Sequence, residues 1–345
     1  MQGQTTVPRS NYLPVRPDWL ASRTEPALDP GLPIIDAHHH LWDRPGWRYM
    51  LDDLVADIDG CGHRIVATVF VQCQTMYRAD GLEAMRPVGE TAFVAGVGKE
   101  ALRRGRDAIC AGIVGHADLR LGAAVDAVLE AHIEAADGRF RGIRHITAAD
   151  PDPAMSNPLS AVPPGLMADR AFREGFARLR HHGLSFDAWL FHPQLDELAD
   201  LARAFPDTPI VLDHLGGILR IGAYAGRDEA EFPRWQAAIG RLAACENVVV
   251  KLGGMGMRIN GFGFEQVAEP PSSEALAAAW RPWMQVCLDE FGAARCLFQS
   301  NFPVDKGSYG YGVGWNAFKR LAAGASDAER AALFAGTARR VYRLD

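Results

Sequence analysis

The segment Pro33-Ile-Ile-Asp-Ala-His-His-His-Leu-Trp-Asp43 is an apolar run that ends in three consecutive histidines. Side chains alternate between the faces of a β-strand, so Asp36, His38 and His40 are expected on one face and Ala37 and His39 on the other. Two imidazoles two residues apart can bind one divalent ion, with further ligands coming from elsewhere in the fold. The plainer reading is a histidine run satisfied by hydrogen bonds, the usual state of an isolated histidine.

Working outward from this strand, short apolar runs alternate with helix-like stretches. Eight runs are legible, at residues 34–38, 65–72, 109–115, 142–146, 185–191, 209–214, 248–252 and 296–301. Eight strands with intervening helices predict an α/β fold, the (β/α)8 TIM barrel. Residues 196–205 carry apolar positions at helical spacing, and residues 326–344 open on the capping-box pair Ser326 and Glu329. A doubly wound sheet is the alternative, but no G-x-G-x-x-G follows the first strand and no phosphate-binding G-x-x-x-x-G-K-[ST] occurs. The organisation expected is an extended, proline-rich N-terminal arm over residues 1–32 and one barrel domain over residues 33–345.

Composition narrows the function. The chain has 345 residues, 48% hydrophobic and 23% charged, enough for a sizeable core. A net charge of -6 without a dense Lys/Arg run argues against nucleic acid or anionic membrane and for a small-molecule substrate. The six cysteines lack C-x-x-C spacing and read as reduced core thiols. No signal-peptide pattern or membrane-length apolar run is present, so the expected compartment is the cytoplasm. A homo-oligomer is the default expectation for assembly.

Polar residues close almost every strand: His38 and His40, Gln72, His116, Arg144 and His145, His192, His214, Lys251 and Asn301. In a barrel these positions share one rim, with packing below and chemistry above. The loops at residues 253–264 and 307–315, with Trp42 and Trp47, are rich in glycine and aromatics and are candidates for a lid.

Together the segments Ile35-Asp-Ala-His-His-His-Leu-Trp-Asp43, Gly142-Ile-Arg-His145, Phe191-His-Pro-Gln-Leu195, Pro209-Ile-Val-Leu-Asp-His-Leu-Gly216 and the closing residues 333–344 resemble the amidohydrolase superfamily. The resemblance is to its amidohydrolase-2 branch, which contains sugar-lactone and muconolactone-type lactonases and metal-dependent decarboxylases, and it spans nearly the whole chain after residue 32. It implies that His38, His40, His192 and His214 form a metal or substrate constellation. The ion would be one divalent metal, zinc or manganese, although the branch also includes lactonases held to work without metal. Arg144, or His145 beside it, would bind substrate, and alternation allows only one of them to face inward. Gln72 and Trp42 join them as candidate substrate contacts.

One departure matters. The family pattern ends the eighth strand in Ser-Asp-x-Pro, whereas this chain reads Gln299-Ser-Asn-Phe-Pro-Val-Asp305. An amide takes no proton at neutral pH, so Asn301 can orient water but cannot act as the base. Asp305, four residues on, is the candidate base, with His192 and His214 assisting. Asp36 is expected deeper, behind the ligating imidazoles, and Asp213 is expected to face away from His214. The implied reaction is opening of a small cyclic ester, a sugar lactone or carboxylated lactone. The alternatives are non-oxidative decarboxylation and a catalytically reduced ligand-binding barrel.

Overall fold

The computed structural model describes residues 12–106, 108–155 and 162–344. Eight parallel strands follow one another around a single sheet. They are β1 Pro33–His39, β2 Arg64–Val71, β3 Gly112–Gly115, β4 Phe140–Ile143, β5 Ser185–Ala188, β6 Ile210–Leu212, β7 Val248–Leu252 and β8 Cys296–Phe298. A parallel bridge between His39 and Phe302, with the amide of Asn301 donating to the His38 carbonyl, ties the segment after β8 back to β1. The result is a nearly closed (β/α)8 barrel.

Outside the strands lie α1 Leu51–Gly60, α2 Val88–Arg103, α3 Asp126–Ala135, α4 Arg170–His181, α5 Leu195–Ala204, α6 Asp228–Ala243, α7 Ser273–Phe291 and α8 Tyr311–Leu321. All eight sequence runs overlap a barrel strand. Alternation divides each strand between two cores. Val69, Val71, Val211, Val249 and Leu297 fill the lumen with Tyr342 and Leu344, which plug its lower end. Phe70, Ile210, Leu212, Val248 and Val250 face the helices. Because the lumen is packed with β-branched side chains, a polar group on the inward face has room only near the upper end.

Two breaks in alternation redirect the site residues. In β1, Asp36 pairs with Thr68 and His39 with Phe70, so β1 uses one more residue than β2 over the same span. This bulge turns both Ala37 and His38 inward. Asp36 therefore does not share a face with His38 and His40, contrary to the strand reading. It faces α8, where it accepts from the Tyr311 hydroxyl at 2.9 Å and from the Ser300 hydroxyl and amide at 2.6 and 2.9 Å.

The arm starts at the upper rim with Tyr12 and runs along α8 toward the start of β1. Arg16 donates to the carbonyl of Glu265 at 2.7 Å, Trp19 to that of Val267 at 3.2 Å, and Lys319 of α8 holds the carbonyls of Leu28 and Asp29 at 2.7 Å each. Among the described residues no helix is long and apolar enough to cross a membrane.

Candidate active site

The floor of the site is a set of fully buried charges. Asp187 of β5 and Lys251 of β7 point into the lumen, and Asp213 follows Val211 inward at the end of β6. Lys251 Nζ donates to Asp187 Oδ2 at 2.6 Å and lies 3.0 Å from Asp213 Oδ1 and 3.2 Å from His38 Nδ1. The Tyr342 hydroxyl also donates to Asp187, at 2.7 Å. Burial opposes ionisation of Asp213, but the Lys251 ammonium and then His38 outweigh it and hold this carboxyl well below its usual range. Asp213 thus keeps its charge although neither of its oxygens has a hydrogen-bond partner among the described residues.

Asp213 was expected to face away from His214, and the backbone corrects this. His214 and Leu215 have φ of +53° and +56°, a left-handed pair rarely adopted by such residues, which swings the imidazole back over the lumen. Its ring lies 4.5 Å from that of His38, and the Gln299 amide nitrogen holds its Nδ1 at 2.9 Å. Gly254 leaves the space for it: a Cβ there would fall 2.2 Å from His214 Nδ1.

Partners assign the proton on His40. Its Nδ1 lies 2.7 Å from the Val71 carbonyl, which only accepts, so Nδ1 carries the hydrogen and Nε2 presents a lone pair. That Nε2 is 3.2 Å from His38 Nε2. Burial first, and Arg144 second, hold the His40 pKa well below the imidazole range. Burial likewise depresses His38 strongly and brings His214 to about 3. All three rings are neutral at pH 7.

Arg144 faces inward and His145 outward, as alternation requires. The Arg144 side chain donates to the Gln72 carbonyl, and its Nη1 lies 3.4 Å from His38 Nε2 and 3.6 Å from Asp213 Oδ2. These commitments leave it one open edge rather than a free bidentate fork. His145 instead packs its ring 5.4 Å from Phe172 of α4, in the helix layer.

Asn301, at φ +56°, donates its amide nitrogen to Asp305 Oδ1 at 2.8 Å. Asp305 Oδ2 accepts from the Gly256 amide at 2.8 Å and the Tyr309 hydroxyl at 2.7 Å. Fully buried behind Asn301, Asp305 has both oxygens occupied by donors, so it has no open lone pair for a water in the cavity. The structure makes it the anchor of the Asn301 amide, whose Oδ1 is left to accept hydrogen bonds. Burial raises its pKa to about 7, against the pull of these donors.

His40, Arg144, His214 and Asn301 line one cavity of about 90 Å³ at the upper end of the barrel. Other residues expected there lie elsewhere. His192 accepts from the Leu219 amide at 3.2 Å and turns its Nε2 toward Glu231, 3.7 Å away. It borders a larger groove, about 590 Å³, between α5 and α6 on the outer surface. Trp42 is fully buried, stacked on the back of His40 with ring centroids 5.7 Å apart. Gln72 is buried beneath Arg144, with its amide nitrogen 3.4 Å from the Arg144 carbonyl. Sequence reasoning gave no role to Asp187 or Gln299, and placed Lys251 only among the polar residues of the rim.

His38, Asp213 and His214 each offer a ligand atom within 4.8 Å of the others. Two neutral imidazoles and an ionised carboxylate lacking hydrogen bonds fit a divalent cation.

With this geometry in view, comparison with known proteins is decisive. The family described as Amidohydrolase matches residues 35–344. This chain belongs to the amidohydrolase family. The enzyme is 31% identical over 333 residues to the uncharacterised protein y4mH of Sinorhizobium fredii, covering 90% of this chain and 98% of that one. It is 28% identical over 323 residues to an L-fucono-1,5-lactonase of Burkholderia multivorans, covering 90% and 96%. A crystal structure of a Burkholderia multivorans amidohydrolase with bound zinc superimposes with a TM-score of 0.69 at 26% identity, covering 90% and 99%.

Proposed function

We propose that this amidohydrolase opens a small lactone by attack of water on the ring carbonyl. The observation that carries the reading is the shared cavity of His40, whose unprotonated Nε2 faces His38 Nε2 at 3.2 Å, with the Arg144 guanidinium and the Asn301 amide. The L-fucono-1,5-lactonase relatives support the same reaction class.

Asn301 Oδ1 accepts a hydrogen bond from water and orients it, while His40 Nε2 takes the second proton as the oxygen adds to the carbonyl carbon. Arg144 stabilises the negative charge that develops on the carbonyl oxygen. His214, in the tautomer that accepts from Gln299, presents Nε2–H to the same oxygen. When the tetrahedral intermediate collapses, the ring C–O bond breaks and the His40 imidazolium returns the proton to the leaving alkoxide. The product is one hydroxy acid, with lactone and water consumed one to one. With the Gln299 amide turned to accept from its Nδ1–H, His214 would instead offer a ring lone pair and join His38 and Asp213 in holding a zinc-like ion, which would then supply the polarisation of the carbonyl.

The test is proton release in weak buffer on a lactone panel, with the product identified by mass. Acidification with uptake of one water mass is expected. Release of carbon dioxide from carboxylated substrates without hydration would replace this reading with decarboxylation.

A further inference from the structure

Four polar residues face the cavity, and the other eight of its twelve lining residues are apolar or aromatic. Trp189, Phe191, Met257, Ile259 and Val304 form most of the wall, and Ile146 and Ala148 continue it above Arg144. The four polar groups are all used by the water, the carbonyl or each other. A sugar lactone carries several hydroxyls on its ring, and apart from the Tyr12 phenol and the Trp189 indole N–H the side chains of this wall offer them only carbon. A hydroxyl buried without a partner loses its hydration and gains nothing in return.

The remaining wall residue is Tyr12. It comes from the arm, outside the span that the family matches, which begins at residue 35. Its ring is fixed by Trp42 and Trp47, with centroids 5.9 and 5.2 Å away, and the Arg44 guanidinium lies 5.5 Å from it. The next residue, Leu13, is buried so tightly that a Cβ on Gly307 would fall 2.5 Å from its own Cβ. The arm thus delivers an immobilised aromatic wall to a cavity whose chemistry is built by the strands.

On the lactonase reading, we propose that the substrate is a lactone bearing alkyl, alkenyl or aryl carbon where a sugar lactone bears hydroxyls, and that Tyr12 is a specificity-determining residue that covers this carbon. The polar edge of the lactone, its carbonyl, sits at Arg144, and the carbon face lies between Tyr12 and the Trp189 and Ile259 side.

The experiment compares kcat/KM for 5-butyl and 5-phenyl δ-lactones with that for a hexono-1,5-lactone, alongside binding of the corresponding non-hydrolysable lactams followed by tryptophan fluorescence. A preference of about 10²-fold for the carbon-substituted lactones is expected, the size of effect an apolar pocket exerts against one added hydroxyl. Tyr12→Ala should cut that preference about tenfold, mainly through a higher KM for the carbon-substituted lactones and with a smaller loss on the hexonolactone, and Tyr12→Phe should retain it. Faster turnover of the hexonolactone, or an equal loss on both substrates in Tyr12→Ala, overturns the proposal while leaving lactone hydrolysis standing. Tighter binding of the carbon-substituted lactams with no lactone opened supports the substrate class and removes the hydrolytic reading instead.

Discussion

The barrel mouth and the groove between α5 and α6 both have a strand-end histidine, and they differ in what surrounds it. In the groove, His192 is satisfied by the Leu219 amide and faces Glu231, with Arg227 and Arg234 pairing the same carboxylate at 3.2 and 3.3 Å. The charges there are ion-paired, two arginines sharing Glu231. At the mouth, His40 turns its unprotonated Nε2 to His38 at 3.2 Å, and Asp213, ion-paired with Lys251 at 3.0 Å, has no further hydrogen-bond partner among the described residues. The groove is the larger space, about 590 Å³ against about 90 Å³. On the proposed reading, volume does not mark the reactive region. Buried polar groups whose bonding capacity is left open do, because only they have something to gain from a substrate.

The largest contrast should come from removing the base. His40→Ala is expected to lower kcat by about 10²–10⁴-fold at unchanged fold, whereas His192→Ala should stay within about twofold, read from steady-state kinetics beside circular dichroism. Equal losses in the two variants would erase the distinction between mouth and groove.

Next is the floor. Lys251→Met leaves two buried carboxylates, Asp187 and Asp213, without their ammonium. Destabilisation of about 3–5 kcal/mol is expected in urea melts, in line with other buried pairs broken on one side. Arg241→Met, which cuts an exposed pair with Asp196 on the groove side, should cost under about 1 kcal/mol.

The pH dependence sharpens the comparison further. Asp305 has its pKa raised to about 7 by burial, so the native state binds a proton that the unfolded chain has already released. Its contribution to stability is full below about pH 4, the ordinary aspartate range, and is lost as pH rises toward 7. Asp305→Asn should reduce this fall between pH 4 and 7, leaving the parts due to Glu90, which burial raises to about 7, and to Asp36 and Asp187, which burial also raises. The same variant should lower kcat only about tenfold, since Asn301 loses its anchor while His40 remains. Complete loss of turnover in Asp305→Asn, with the fold intact, would return Asp305 to the role of base.

The smallest expected effect is ion binding. Added zinc should raise the melting temperature by a few degrees through linkage, and His38→Ala should abolish that rise. A rise that survives His38→Ala but disappears in His192→Ala would move the ion site to the groove.

Much of this was legible in the sequence wherever periodicity carries the information. The apolar runs located all eight strands because buried parallel strands need β-branched carbon on both faces. Alternation also required that only one of Arg144 and His145 face inward, and the structure makes it Arg144, although β4 uses one more residue than β3 between Phe140 and Gly142. The same rule misplaced Asp36 and Asp213. In β1 a bulge adds one residue, and at His214 a left-handed backbone reverses the facing, and neither leaves a mark in residue type. Asp305 was misread for another reason: it lies near Asn301 in sequence, and only its three donors show that it points behind the site.

The sequence by itself determined the barrel, the family and the chemistry available at the strand ends, because hydrophobic period and residue type are local properties. Which nitrogen of His40 is bare, which carboxylate keeps its charge beside Lys251, and which aromatic from a distant arm covers the cavity were decided only by the tertiary structure. Hydrogen-bond direction, desolvation and wall composition depend on partners that are far apart in the chain, such as Asp36 and Ser300, or Lys251 and His38.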